Sequence, residues 1–222
     1  MNETLDIQKI VVSILPILVA ITFHEVSHGF VANKLGDPTA RFTGRLKLNP
    51  LVHIDPIGTL LMPVMLFVLT NGQFVFGYAK PVPINPMNFK DPRRDMAISA
   101  AAGPVTNILL AIVSQIILAH IIIPANNIVP GVFSMSVLRP LEMMFHYSVL
   151  INIVLAVINL IPVPPLDGGR VLVGFLPHKQ AVSYSRIEPY GFIIVMLLLV
   201  TGIANIIIYP VIFFIYTLVA LF

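Results

Sequence analysis

The chain has 222 residues, of which 57% are hydrophobic and 10% charged, and its mean hydropathy of +0.94 lies far above that of a water-soluble domain of this size. A membrane is the solvent such a composition expects, and the formal charge of +3 reads as a topology signal, not as a nucleic-acid footprint. With no cysteine present, disulfides are excluded and any metal must be held by nitrogen and oxygen ligands.

Neither an internal repeat nor a low-complexity linker divides the sequence, so residues 1–222 read as one domain. Lipid satisfies no backbone polar group, so each full crossing needs roughly twenty apolar helical residues. The first such stretch is 7–33. Its apolar run lacks a basic leader and a small-residue cleavage site, and is expected to be retained. Residues 41–48 alternate polar and apolar side chains from Phe42 onward, which predicts a strand with one wet face. A second short strand is predicted over 74–78. These are ordinary hairpin elements, or else one presents an edge that an extended substrate joins.

Residues 57–70 are apolar for only about fourteen positions and include Pro63, which predicts a re-entrant or short helix and not a full crossing. Further crossings are expected at 95–123 and 140–161, and the stretch 188–222 is long enough for one very long helix or, the favoured reading, two short ones divided near Tyr209 and Pro210, where proline interrupts the ladder. If 57–70 does not cross, eleven of the thirteen Lys and Arg fall on one side and only Lys9 and Arg139 lie opposite. The positive-inside tendency then puts the end of the first helix at the cytoplasmic face. The expected fold class is an all-α polytopic membrane protein. It has about five or six membrane segments, with a small β element and a re-entrant or short helix between the first two core helices.

His24, Glu25 and His28 form H-E-x-x-H at the end of the first apolar helix. Positions i and i+4 share one helix face, so the two imidazoles can hold one metal, and the glutamate beside them reaches its water. Polar side chains in or near lipid are costly unless paired or ligating, which favours this reading over a bare polar helix end. A catalytic zinc site keeps three protein ligands and one open position. The third candidate is Asp167, where Pro162, Pro164 and Pro165 stop the third core helix and Gly168 and Gly169 allow close backbone approach. Asn107 follows Gly103 and Pro104 on the second core helix. It either hydrogen-bonds a neighbouring helix or donates to substrate backbone or oxyanion. His53 and Asp55 precede the short apolar segment and could lie near the site, while His120, His146 and His178 lack ligand-like spacing.

H-E-x-x-H on a membrane helix, G-P-x-x-N ending at Asn107 on a later one, and N-x-x-P-x-x-x-L-D-G starting at Asn159 after a third resemble, in this order, the site-2 protease family. Residues 48–59 and 79–86 resemble its compact prokaryotic branch, and the likeness covers roughly 14–170. The resemblance implies a zinc endopeptidase that hydrolyses membrane-spanning protein substrates within the lipid bilayer of a prokaryotic cell, with its active site toward the cytoplasm. It implies one Zn2+ per chain held by His24, His28 and Asp167, with Glu25 as general base and acid. For Asn107 and Asn159 it implies a substrate-contacting, oxyanion or site-ordering role. No PDZ-like or CBS-like region fits in these 222 residues, so substrate selection is expected to rest on the membrane core or on partners. A membrane metal transporter or sensor is the rival reading, but it expects ligands strung across the bilayer where this sequence offers one cluster. A silent scaffold would have no need of an intact H-E-x-x-H.

Overall fold

The structure, a computed structural model, describes residues 2–69, 77, 79–129 and 131–222. The order of helices is α1 (Asn2–Leu35), a short α2 (Thr39–Phe42), and a π-helical turn Pro56–Leu61 that runs into α3 (Met62–Leu69). Next comes α4 (Pro92–Ile117), extended by a π-helical turn Leu118–Ile122 and α5 (Ile123–Ile128). A turn at Ser134–Leu138 leads into α6 (Arg139–Asn159). The chain ends with α7 (Asp167–Phe175), α8 (His178–Ser185), α9 (Glu188–Val200) and α10 (Ile203–Val219).

The core helices are apolar outside and small or polar inside, as lipid demands. On α1, Ala20, His24, His28 and Ala32 follow one another at i+4 and are all buried, while Ile17, Phe23 and Phe30 face outward. On α4 the exposed face is Val105, Leu109, Val113 and Ile116, and the buried face carries Ala100, Gly103, Asn107, Ala111 and Ser114. Small inward residues let backbones approach, and α4 sits centrally against α1, α6 and α7. A satellite core joins Ala111 of α4, Val149, Ile153 and Val157 of α6, and Ile208 and Val219 of α10.

Several sequence expectations need correction. Among the described residues three helical stretches are long and apolar enough to cross, Gln8–Leu35, Pro92–Ile128 and Ser134–Asn159. A fourth arises only if α8 and α9, bent by 48° to each other, count as one. The expected five or six segments are not reached by this measure, because α3 has eight residues and the C-terminal stretch splits into two pieces shorter than a full crossing. That split falls at Gly202, whose φ of 74° suits glycine and ends the helical run. It is not at Pro210, which sits inside α10, where membrane helices tolerate proline. The short helix expected over 57–70 is found as Pro56–Leu61 plus α3.

No strand forms over 41–48, nor elsewhere among the described residues; the predicted strand at 74–78 lies, apart from Gly77, outside them. The backbone there is used locally: the N–H groups of Phe42, Thr43, Gly44 and Arg45 donate to the carbonyls of Pro38, Thr39, Arg41 and Ala40, and the Lys47 carbonyl lies 3.0 Å from His53 Nε2. Asp37 accepts from the Thr39 N–H at 3.1 Å and its hydroxyl at 2.5 Å, opening the helical turn of α2. The Arg45 guanidinium donates to the carbonyls of Val52, Lys80 and Pro81. These carbonyls are thereby satisfied without a ladder.

Asp37 and Arg45 also secure a strap, extended over residues 79–85 and closed by the 3₁₀ turn Pro86–Asn88, across the end of α1. Asp37, fully buried, accepts from the Asn85 N–H at 2.7 Å and the Asn88 amide at 2.7 Å. Burial pushes its carboxyl up, but hydrogen bonds from Thr39, Asn88 and Asn85 outweigh this and hold it below the ordinary value of 3.8. A depressed folded pKa contributes stability above the unfolded value, lost as pH falls through it toward the folded pKa. The protection factor of the Asn85 amide, its exchange rate relative to the unstructured rate at the same pH, should therefore hold from neutral pH down to 3.8 and fall below it. Protection indifferent to acid across that window would show that the Asp37 carboxylate does not hold the strap.

Candidate metal centre

His24 and His28 reach one point because they are a helical turn apart on the buried stripe of α1. Their Nε2 atoms lie 3.0 Å apart. Asp167 arrives from a distant part of the chain: α6 stops at Asn159, residues 160–166 turn back, and Asp167 begins α7. Its Oδ2 lies 3.1 Å from His24 Nε2 and 3.2 Å from His28 Nε2, and all three residues are buried. The three form the one group of metal-capable side chains among the described residues.

The outer nitrogens fix what the inner ones can do. His28 Nδ1 lies 2.8 Å from the Ser99 carbonyl, which can only accept, so Nδ1 carries the proton. His24 Nδ1 lies 2.6 Å from Asn107 Oδ1, while Asn107 Nδ2 donates to Ala20 O at 3.3 Å and Asn152 Oδ1 at 2.8 Å. That orientation is assigned from the partners, and it makes His24 Nδ1 a donor too. In the neutral form that can bind a metal, the imidazoles turn two Nε2 lone pairs toward each other and toward a carboxylate oxygen that has no hydrogen-bond donor. Such a trio repels itself unless a cation lies among its members.

Zinc fits the donor set. Zn–N and Zn–O bonds of about 2.0–2.2 Å at tetrahedral angles put ligand atoms about 3.3 Å apart, close to the observed 3.0, 3.1 and 3.2 Å. Each imidazole also donates its other N–H to an oxygen, the usual arrangement around metal-binding histidines.

Beside the trio is a cavity of about 400 Å³ lined by His24, Glu25, His28, the strap residues Ala79, Pro81, Val82 and Ile84, and by Asn159, Leu166, Asp167 and Arg170. Glu25 borders this space, and its Oε2 accepts the Val82 N–H at 2.8 Å. Asn159 lies at the wall and donates to the Leu155 carbonyl at 2.9 Å. Asn107 does not reach the cavity: it is fully buried behind His24, with its amide engaged internally. His53 and Asp55 do not join the site either. His53 is buried with Nε2 on the Lys47 carbonyl at 3.0 Å, and Asp55 caps the Pro56–Leu61 turn.

Sequence reasoning missed Ser99, Val82 and Asn152. All three act through backbone or through another side chain, which leaves little residue-type signature. For Val82 the flanking Pro81 and Pro83 were the available signal, since between them only Val82 has an N–H to give.

Gly103 is the tightest fit around the imidazoles. A Cβ there would stand 2.5 Å from His28 Nε2 and Cε1 and 2.6 Å from His24 Cε1. Gly103→Ala should therefore push the rings off their meeting point and leave the purified protein short of zinc by elemental analysis. Full zinc content in that variant would mean the helices have slack this packing does not show.

Comparison with known proteins agrees with this geometry. The family model described as Peptidase family M50 matches residues 12–202. YwhC of Bacillus subtilis strain 168, named as a candidate zinc metalloprotease, is 35% identical over 201 residues, spanning 89% of this chain and 84% of that protein. Rip2 of Mycolicibacterium smegmatis, named in the same way, is 28% identical over 85% of this chain and 66% of its own length. Rip2 of Mycobacterium tuberculosis strain H37Rv is 27% identical over 84% and 64%. No solved structure matches. The long apolar helices, the buried trio built for one zinc ion and the match across most of the chain lead to one assignment: this integral membrane protein belongs to peptidase family M50, the site-2 protease family of zinc metalloproteases.

Proposed function

We propose that the chain hydrolyses peptide bonds of membrane-spanning protein substrates at the cavity beside His24, with His24, His28 and Asp167 as the zinc ligands and Glu25 as the general base and acid. The observation that carries this reading is the trio of lone-pair atoms 3.0–3.2 Å apart at the wall of a cavity that Glu25 also lines. A transport pathway would need further ligand groups along the bilayer, and the described residues offer this cluster alone.

When bound, zinc supplies Lewis acidity, which polarises a carbonyl and makes a water easier to deprotonate. The chain's own groups handle the rest. Val82 N–H anchors one oxygen of Glu25, and the carboxylate takes a proton from the attacking water. A C–O bond forms at the scissile carbonyl, the C–N bond breaks, and Glu25 returns the proton to the departing nitrogen. Asn159 hydrogen-bonds substrate backbone in this reading, which its position at the cavity wall supports. Asn107 orders His24 instead of meeting substrate, because its amide is spent internally.

The strap beside the cavity holds a wall of Ala79, Pro81, Val82 and Ile84, against which an extended substrate segment can lie. A transmembrane substrate must unwind locally to fit, since a helix shields its own carbonyls. The excess of basic residues flanking the ends of α1 and α4 nearest the site supports a cytoplasmic orientation.

Glu25→Gln should lower cleavage of a transmembrane reporter by roughly 10²–10⁴-fold, the usual worth of a general base, while leaving about one zinc per chain. Asp167→Ala should lose the zinc itself. Parental turnover in folded Glu25→Gln would remove the assigned base, and full zinc in Asp167→Ala would remove that ligand.

A further inference from the structure

We propose that Asn152, which touches neither the cavity nor a metal-binding side chain, is the positioning residue that sets which nitrogen of His24 faces the metal site. The inference rests on His24 being a ligand. It concerns a residue of α6 that lies outside every motif identified in the sequence.

A carboxamide such as Asn107 has two faces that differ by a rotation of 180°, one offering an acceptor oxygen to His24 and the other a donor nitrogen. The first leaves His24 Nε2 with its lone pair free for a metal. The second would make Nδ1 the acceptor and put the proton on Nε2, where a metal must bind. Two acceptors hold Asn107 in the first state, Ala20 O at 3.3 Å and Asn152 Oδ1 at 2.8 Å. The shorter bond belongs to Asn152.

Asn152 is a carboxamide itself, so its orientation needs a cause. Its Nδ2 donates to the Ser148 carbonyl at 2.8 Å, one turn earlier on α6. A backbone carbonyl can only accept, so the chain of amides has a fixed direction: Ser148 C=O orients Asn152, Asn152 orients Asn107, and Asn107 orients His24. Ser148 Oγ pairs with Ser114 Oγ at 2.8 Å and ties the same turn to α4. Both asparagines are buried, 0% exposed for Asn107 and 1% for Asn152, so water does not compete for the amide at either position.

The test compares Asn152→Leu with Asn152→Asp in the zinc-loaded full chain in detergent, with zinc affinity read by competition against a chelating dye and folding by thermal unfolding. Burial keeps an introduced aspartic acid neutral. Its carbonyl oxygen can still accept from Asn107 and its hydroxyl can donate to Ser148 O. Leucine removes the acceptor and frees Asn107 to turn. The expected result is a 10–100-fold loss of zinc affinity for Asn152→Leu, the usual effect of removing a partner of a metal ligand, with Asn152→Asp close to the parent. Where leucine does not fold, Asn152→Ala removes the same acceptor at smaller volume. Parental affinity in the folded leucine or alanine variant overturns the proposal, as does an equal loss in Asn152→Asp, which would mark a packing role only. A parent chain that holds no stoichiometric zinc would instead overturn the ligand assignment beneath it.

Discussion

Two imidazole nitrogens and one carboxylate oxygen meet within 3.0–3.2 Å in a buried place, and each turns a lone pair to the others. Such an arrangement is unfavourable on its own, because buried groups of this kind need compensating charge or protons. No single shared proton satisfies three acceptors, and a second would set two N–H groups head to head. A divalent cation resolves the conflict, so the local fold makes sense as a structure shaped around zinc. The buried stripe of α1, the bare Cα of Gly103 and the arrival of Asp167 at the start of α7 all follow from that meeting point.

The surroundings explain how a polar centre survives among helices built for lipid. Polar groups behind the imidazoles are answered by other helices: Ser99 Oγ donates to His28 O at 2.9 Å, Asn107 spans to Ala20 and Asn152, and Ser114 meets Ser148. Side chains between α1, α4 and α6 therefore do two jobs at once. They hold three helices together where hydrophobic burial contributes little, and they orient the rings of His24 and His28. The small inward residues of α4 serve the same end, since longer ones would separate the helices and break these short bonds.

The strap adds a connection between the aqueous edge and the chemistry. Asp37 and Arg45 clamp its ends, and its middle gives the Val82 N–H to Glu25. The position of the Glu25 carboxylate is thus set partly by residues outside the membrane-spanning helices. A structure held this way ties the geometry of Glu25 to that of the strap.

Much of the centre could be read from one dimension because helical periodicity is local. His24 and His28 four apart dictate a shared face, and the prolines and glycines around Asp167 dictate a broken helix, whatever the rest of the chain does. Residue type likewise fixed the apolar character of α1, α4 and α6 and the choice of nitrogen and oxygen ligands. What one dimension does not contain is direction across helices. Only the tertiary structure decided that Asn107 turns its oxygen to His24 and not into the cavity, that Asn152 stands behind it, and that a backbone N–H from Val82 meets Glu25. It also decided against a strand at 41–48, since the alternation there is real, yet the N–H groups of residues 42–45 donate to carbonyls of residues 38–41 in the turn around α2. The break at Gly202 instead of Pro210 has the same origin: proline's cost in a helix depends on what surrounds it, whereas a glycine at positive φ ends the helix by its own geometry.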